Sequence, residues 1–305
     1  MKHDMRVSFA GVEFRNPVVT ASGTFGFGHE YAEFYDISEL GGICVKGLTY
    51  NGRDGNPPPR IAETAMGMLN SVGLQNPGID KFIESELPYL RNLDTNIIAN
   101  ISGESVEQFG EMAAMLSDVG GVDMIELNVS CPNVKAGGIQ FGTSASSIAE
   151  VTRAVKKRAG IPFLVKLSPN VTDIAEMAKA AEGEGADAIS LINTLLGMRI
   201  DVETRKPVLF NNTGGLSGPA ILPVAVRMVW QVRQAVKLPI LGMGGIMNGE
   251  DAVEMMLAGA DLVGIGTANI TYPMAPLTVL NGISQYLDAH KLSNVTELSG
   301  KVELN

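Results

Sequence analysis

The chain has 305 residues, 45% of them apolar and 18% charged, and a formal net charge of -10. That length is ordinary for a single α/β barrel, and the apolar fraction provides a large core and excludes wholesale disorder. The acidic balance argues against a nucleic-acid partner, because phosphate backbones are bound mainly through Lys and Arg.

In chain order, residues Val7 to Phe14 predict a small hairpin turning at Ala10-Gly11. A repeated pattern follows: a short β-branched run ends in small or polar residues, then an amphipathic helix begins. The predicted strands are Pro17 to Ser22, Ile43 to Lys46, Asn96 to Asn100, Met124 to Asn128, Pro162 to Lys166, Ala188 to Asn193, Pro239 to Gly244 and Leu262 to Gly266. Helical segments lie between them, clearest at Ser105 to Val119, Ser146 to Ala159, Asp173 to Gly183 and Asn248 to Ala258. Several open on Ser, Asp or Asn, the residues that cap helix N-termini. Strands alternating with helices imply a parallel sheet, and eight such units imply a single-domain (β/α)8 TIM barrel over residues 1–305. A doubly wound nucleotide-binding fold would need a full GxGxxG after an early strand. The nearest stretch, Gly242-Met243-Gly244-Gly245, is incomplete and late. Two long loops, Thr49 to Asp80 and Leu195 to Pro219, break the alternation and are expected to cover the site on the C-terminal face.

Barrel chemistry sits where the strands end. Those ends read Ser22, Lys46, Asn100, Asn128, Lys166, Asn193, Gly244-Gly245 and Gly266-Thr267. Two lysines and three amides on one rim point to an anionic, hydrogen-bonding ligand. The glycines after the last two strands fit either a phosphate on backbone N–H groups or tight strand-to-helix packing. FMN and sugar phosphates both suit that set. The two cysteines lack a CxxC spacing, which excludes a disulfide framework, a four-cysteine zinc site and an iron–sulfur cluster held wholly by this chain. Cys44, inside an apolar strand, reads as an inert buried thiol. Cys131, in Asn128-Val129-Ser130-Cys131-Pro132-Asn133, stands at the barrel mouth, where catalytic and structural roles are both open. None of the three histidines follows a strand, and no His/Asp/Glu cluster has metal-ligand spacing. The opening residues lack an apolar signal core and no run reaches membrane-spanning length, so a soluble, cytoplasmic chain is expected.

These motifs resemble, over nearly the full length, the dihydroorotate dehydrogenases of class 1. The matching stretches are Ala21-Ser22-Gly23, Val45-Lys46-Gly47-Leu48-Thr49, Asn70-Ser71-Val72-Gly73-Leu74-Gln75-Asn76-Pro77-Gly78 and Glu126-Leu127-Asn128-Val129-Ser130-Cys131-Pro132-Asn133. Val165-Lys166-Leu167-Ser168-Pro169, Asn193-Thr194, Gly214-Gly215-Leu216-Ser217-Gly218, Gly244-Gly245-Ile246 and Gly266-Thr267 follow in the same order. Cysteine at the position of the base, the loop Lys135 to Thr143 and the stretch Ile98 to Gly103 resemble class 1B rather than the fumarate-linked class 1A. The resemblance implies oxidation of dihydroorotate to orotate in pyrimidine biosynthesis, with Cys131 as base. It implies substrate contacts from Lys46, Asn70, Ser71, Val72, Gly73, Leu74, Asn128, Asn193 and Thr194. FMN would be held by Ser22, Lys46, Gly47, Asn100, Asn128, Lys166, Ile192, Gly218, Gly244, Gly245, Gly266 and Thr267. It further implies a homodimer core joined by a partner subunit carrying FAD and a [2Fe–2S] cluster, which passes electrons to NAD+. Four other readings stand beside it: a fumarate-linked class 1A dihydroorotate dehydrogenase, a tRNA dihydrouridine synthase, a flavin-free aldolase using Lys166 on sugar phosphates, and a scaffold or binding module without catalysis.

Overall fold

A computed structural model of the chain describes residues 3–129 and 141–305. Cys131 and most of the loop that follows it lie outside the described residues. The predicted hairpin forms, with Val7–Phe9 paired to Val12–Phe14. Eight parallel strands then close into a barrel. In chain order they are β1 (Val18–Thr20), β2 (Gly42–Cys44), β3 (Asn96–Ile101), β4 (Met124–Asn128), β5 (Phe163–Lys166), β6 (Ala188–Leu191), β7 (Ile240–Met243) and β8 (Leu262–Ile265). Almost every residue in them is buried, as expected for strands covered on both faces. The observed strands are mostly one or two residues shorter than predicted. Asn100, Asn128 and Lys166 still lie within the ladder, whereas Ser22, Lys46 and Asn193 follow the last paired residue of their strands.

The helices start where their caps predict. The side chains of Ser105, Asp173 and Asn248 each accept a backbone N–H in the first turn of Val106–Val119, Ile174–Gly183 and Gly249–Ala258. The second predicted helix begins slightly earlier, capped by Ser144. One connection departs from the pattern. Between β1 and β2 the chain makes only two short 3-10 turns, Tyr31–Glu33 and Ile37–Glu39, because Gly23, Gly26 and Gly28 take positive φ where a helix would start.

The two long loops are not irregular. They pair with each other in a four-stranded antiparallel sheet ordered Leu195–Met198, Thr213–Ser217, Gly67–Asn70, Ile61–Thr64. This arm joins segments about 150 residues apart in sequence, beyond the reach of local periodicity. Its glycines permit the close approach. A Cβ on Gly214 would fall 2.7 Å from the Asn70 carbonyl oxygen, and one on Gly215 would fall 1.9 Å from Thr194 Oγ1. The barrel core is one continuous hydrophobic cluster. The arm carries a small one of its own, built on Ala62, Leu69 and Leu209.

Candidate active site

A cavity of about 220 Å³ opens where the barrel strands end. The barrel side of its wall is formed by Ser22, Lys46, Gly47, Asn100, Asn128, Lys166, Ile192, Asn193, Thr194, Gly244, Gly245, Gly266 and Thr267. The arm and its edges add Asn70, Val72, Gly73, Leu74 and Gly218. The structure thus gathers the residues named from sequence, with two exceptions. Ser71 points away from the cavity and is fully buried, because neighbours in an extended segment face opposite ways. Its N–H donates to the Arg60 carbonyl and its own carbonyl accepts from Asn56, so it braces the loop. Cys131 falls outside the described residues.

The amides of the rim are chained together. Asn193 Nδ2 donates to Asn128 Oδ1 at 3.4 Å, and Asn193 Oδ1 accepts the Thr194 N–H at 2.8 Å. Asn170 holds the Thr194 carbonyl from behind at 3.0 Å. Asn76 stiffens the loop that carries Gly73 and Leu74, its Oδ1 accepting from the Thr49 and Gly78 N–H groups. At the opposite wall Gly245 has φ +87°, and a Cβ there would meet the Leu222 backbone nitrogen at 2.6 Å. Only glycine lets the turn after β7 pass beneath the helix Leu222–Ala235.

Two lysines line the cavity and no described lining residue is Asp or Glu. The pocket is therefore cationic in an acidic chain. The charge beneath it was not foreseen from sequence. Glu126, fully buried in β4, lies 3.4 Å from Lys166 Nζ and accepts from Ser190 Oγ at 2.8 Å, from Asn100 Nδ2 and from Cys44 Sγ at 3.3 Å. Burial alone would raise its carboxyl. Lys166 and the hydrogen bonds from Ser190, Asn100 and Cys44 outweigh that and hold it below the ordinary carboxylate value. Burial, reinforced by the Glu126 carboxylate, pushes the Cys44 thiol well up, in keeping with its reading as inert. A signal for Glu126 was present. It is the one charged residue of its own apolar strand, and a period of two places it on the same face as Asn128. The apolar lining from Ile61, Met68, Met243, Met247 and Ile270 had no such signal.

No group of three or more His, Cys, Asp or Glu among the described residues could hold a metal ion, and no described helix is long and apolar enough to cross a membrane. His29 and His3 pair with Glu86 and Asp288, away from the cavity.

The family model described as dihydroorotate dehydrogenase matches residues 4–287. The chain belongs to the dihydroorotate dehydrogenase family. Proteins of Geobacter sp. (strain M21) and Alkaliphilus metalliredigens are each 57% identical to it over 301 residues, 99% of both chains. One from Bacteroides thetaiotaomicron is 52% identical over 301 residues, again 99% of both. All three are named dihydroorotate dehydrogenase B (NAD(+)), catalytic subunit. Within this family the cationic, amide-rimmed cavity takes on a chemical meaning.

Proposed function

We propose that this chain is the catalytic subunit of an NAD+-linked dihydroorotate dehydrogenase that oxidises (S)-dihydroorotate to orotate in pyrimidine biosynthesis. The observation that carries the reading is the ring of two lysines and hydrogen-bonding amides, free of described carboxylates, in a barrel of this family. Bound FMN would supply the two-electron acceptor, taking the hydride from C6 of the substrate at N5.

The residues present fit that group. Asn100 Oδ1 is buried, faces the cavity region beside Gly47 and has no hydrogen-bond partner among the described residues. A heterocycle with an N–H donor would satisfy it. Ser22, Gly47, Asn100, Ile192 and Gly218 would line the flavin ring. Gly244, Gly245, Gly266 and Thr267 would hold the phosphate on backbone donors. Lys166 would stand at the ring edge where negative charge develops on reduction, and Lys46 would offset charge between substrate and ring.

Asn70, Asn128, Asn193 and Thr194, with the backbone of Gly73 and Leu74, would hold the amides and carboxylate of dihydroorotate. Held this way, C5 is offered to the base and C6 to the acceptor. Cys131 takes the C5 proton as thiolate, and the C5–C6 bond becomes double as the hydride leaves C6. An ordinary thiol titrates at about 8.5, so the rate rises with pH until the thiol is ionised. The names of the relatives support NAD+ as final acceptor through a second subunit. On this reading that subunit carries FAD and a [2Fe–2S] cluster, joins a homodimer of this chain, and the assembly works in the cytoplasm.

The test is anaerobic addition of dihydroorotate to the purified chain while its visible spectrum is recorded. The flavin band should bleach, and in Cys131→Ala it should bleach on the order of 100-fold more slowly or worse. A flavin band indifferent to dihydroorotate would refute the substrate. A chain that stays colourless after exposure to FMN would refute the cofactor.

A further inference from the structure

Glu126 has no part in the scheme above, yet its surroundings are built around its charge. It is fully buried in the barrel and receives Lys166 of β5 at 3.4 Å, Cys44 of β2 at 3.3 Å, Ser190 of β6 at 2.8 Å and Asn100 of β3. Lys166 is itself 4% exposed and also donates to Ser22 Oγ at 3.2 Å. Four strands thus each contribute one donor to a single carboxylate. Two of those donors, Lys166 and Asn100, also line the cavity.

We infer that Glu126 is a positioning residue for the redox step, a buried counter-ion that sets how much positive charge Lys166 presents to a flavin in the cavity. The inference rests on the FMN-dependent reading above. Its physical basis is that two opposite charges in a low-dielectric interior nearly cancel at a distance, whereas a lone ammonium there acts at nearly full strength. A flavin above Lys166 would meet a tempered dipole rather than a bare cation. Its reduced form, which carries more negative charge, would be stabilised less. Glu126 also fixes the amide of Asn100. By accepting from Nδ2 it leaves Oδ1 as the atom without a described partner, so the side chain offers an acceptor to the cavity.

The test compares wild type, E126Q, K166M and the double variant E126Q/K166M, each loaded with FMN. The flavin potential of each is measured by anaerobic dithionite titration against a reference dye across pH. Gln keeps the shape and one acceptor oxygen and removes the charge. In E126Q the two-electron equilibrium should move tenfold or more toward reduced flavin, about 30 mV per tenfold. The titratable groups facing Glu126 are Lys166 and Cys44. In K166M the buried carboxylate has lost the cation that most offsets its burial and takes up a proton, so E126Q/K166M should match K166M. Potentials in E126Q that match wild type across pH would overturn the inference, as would an equal shift in both backgrounds. Should E126Q fold poorly, the apoprotein unfolding temperatures decide. A double variant more stable than E126Q supports the pair, and losses that simply add refute it. A wild type that takes up no FMN sinks the functional reading and this inference together, whereas a reducible wild type with an indifferent E126Q sinks this inference alone.

Discussion

Cys44 is a thiol that its environment silences. It is 1% exposed, donates to Glu126 and has its ionisation pushed well up by burial and that carboxylate. The reactive thiolate is thereby denied to it. Native chain treated with iodoacetamide should take up no label at Cys44, which is modified only after unfolding. Peptide mapping that finds Cys44 alkylated in the native protein would contradict this. The inertness of Cys44 was legible from its place between Ile43 and Val45. Its partner was not, because the identity of a group across a barrel depends on strand order and shear. The same limit applied to Glu126, which pairs in register with Asn100 on one side and Leu164 on the other. Its strand and face could be read from period two, but not the four donors that meet it.

Among the elements, the caps at Ser105, Asp173 and Asn248 match their prediction because their signals are local, whereas most strands stop one or two residues before their predicted ends. A Ser, Asp or Asn whose side chain takes an N–H two or three residues on needs nothing from the rest of the chain. The turn after β7 is also local in origin but tertiary in consequence. Gly245 takes φ +87° and passes within contact of Leu222. Gly245→Ala should therefore cost about 1–3 kcal/mol for the strained backbone. It should also weaken FMN retention roughly tenfold, the equivalent of about 1.4 kcal/mol. Thermal unfolding and FMN titration of the apoprotein check the two parts. An alanine variant with wild-type flavin affinity would place the phosphate elsewhere. The arm is the element that sequence reading missed. Its strands alternate too briefly and hold too many glycines to carry a strand signal, and they find each other across most of the barrel sequence.

At the scale of the molecule, two bodies of packing share one site. The barrel carries the residues assigned to the flavin, apart from Gly218 at the arm's edge, while the arm, with its small cluster around Leu69, presents Asn70 to the cavity and lies next to Val72 to Leu74. Truncating a buried Leu to Ala costs about 2–5 kcal/mol where the site cannot collapse. Leu69→Ala should spend that loss in the arm, raising KM for dihydroorotate by about tenfold while flavin content per chain stays near wild type. Loss of flavin in step with substrate affinity would show that arm and barrel are energetically one unit. The amino-acid sequence by itself determined the alternation of strands and helices, the caps, and the identity of the polar residues at the strand ends, since each rests on periodicity and backbone preference within about a dozen residues. Only the tertiary structure decided that two loops become a sheet over the cavity, that Ser71 turns away from it, and that Glu126 lies under Lys166. Each depends on register between segments distant in the chain, which closure of the barrel sets and no local pattern encodes.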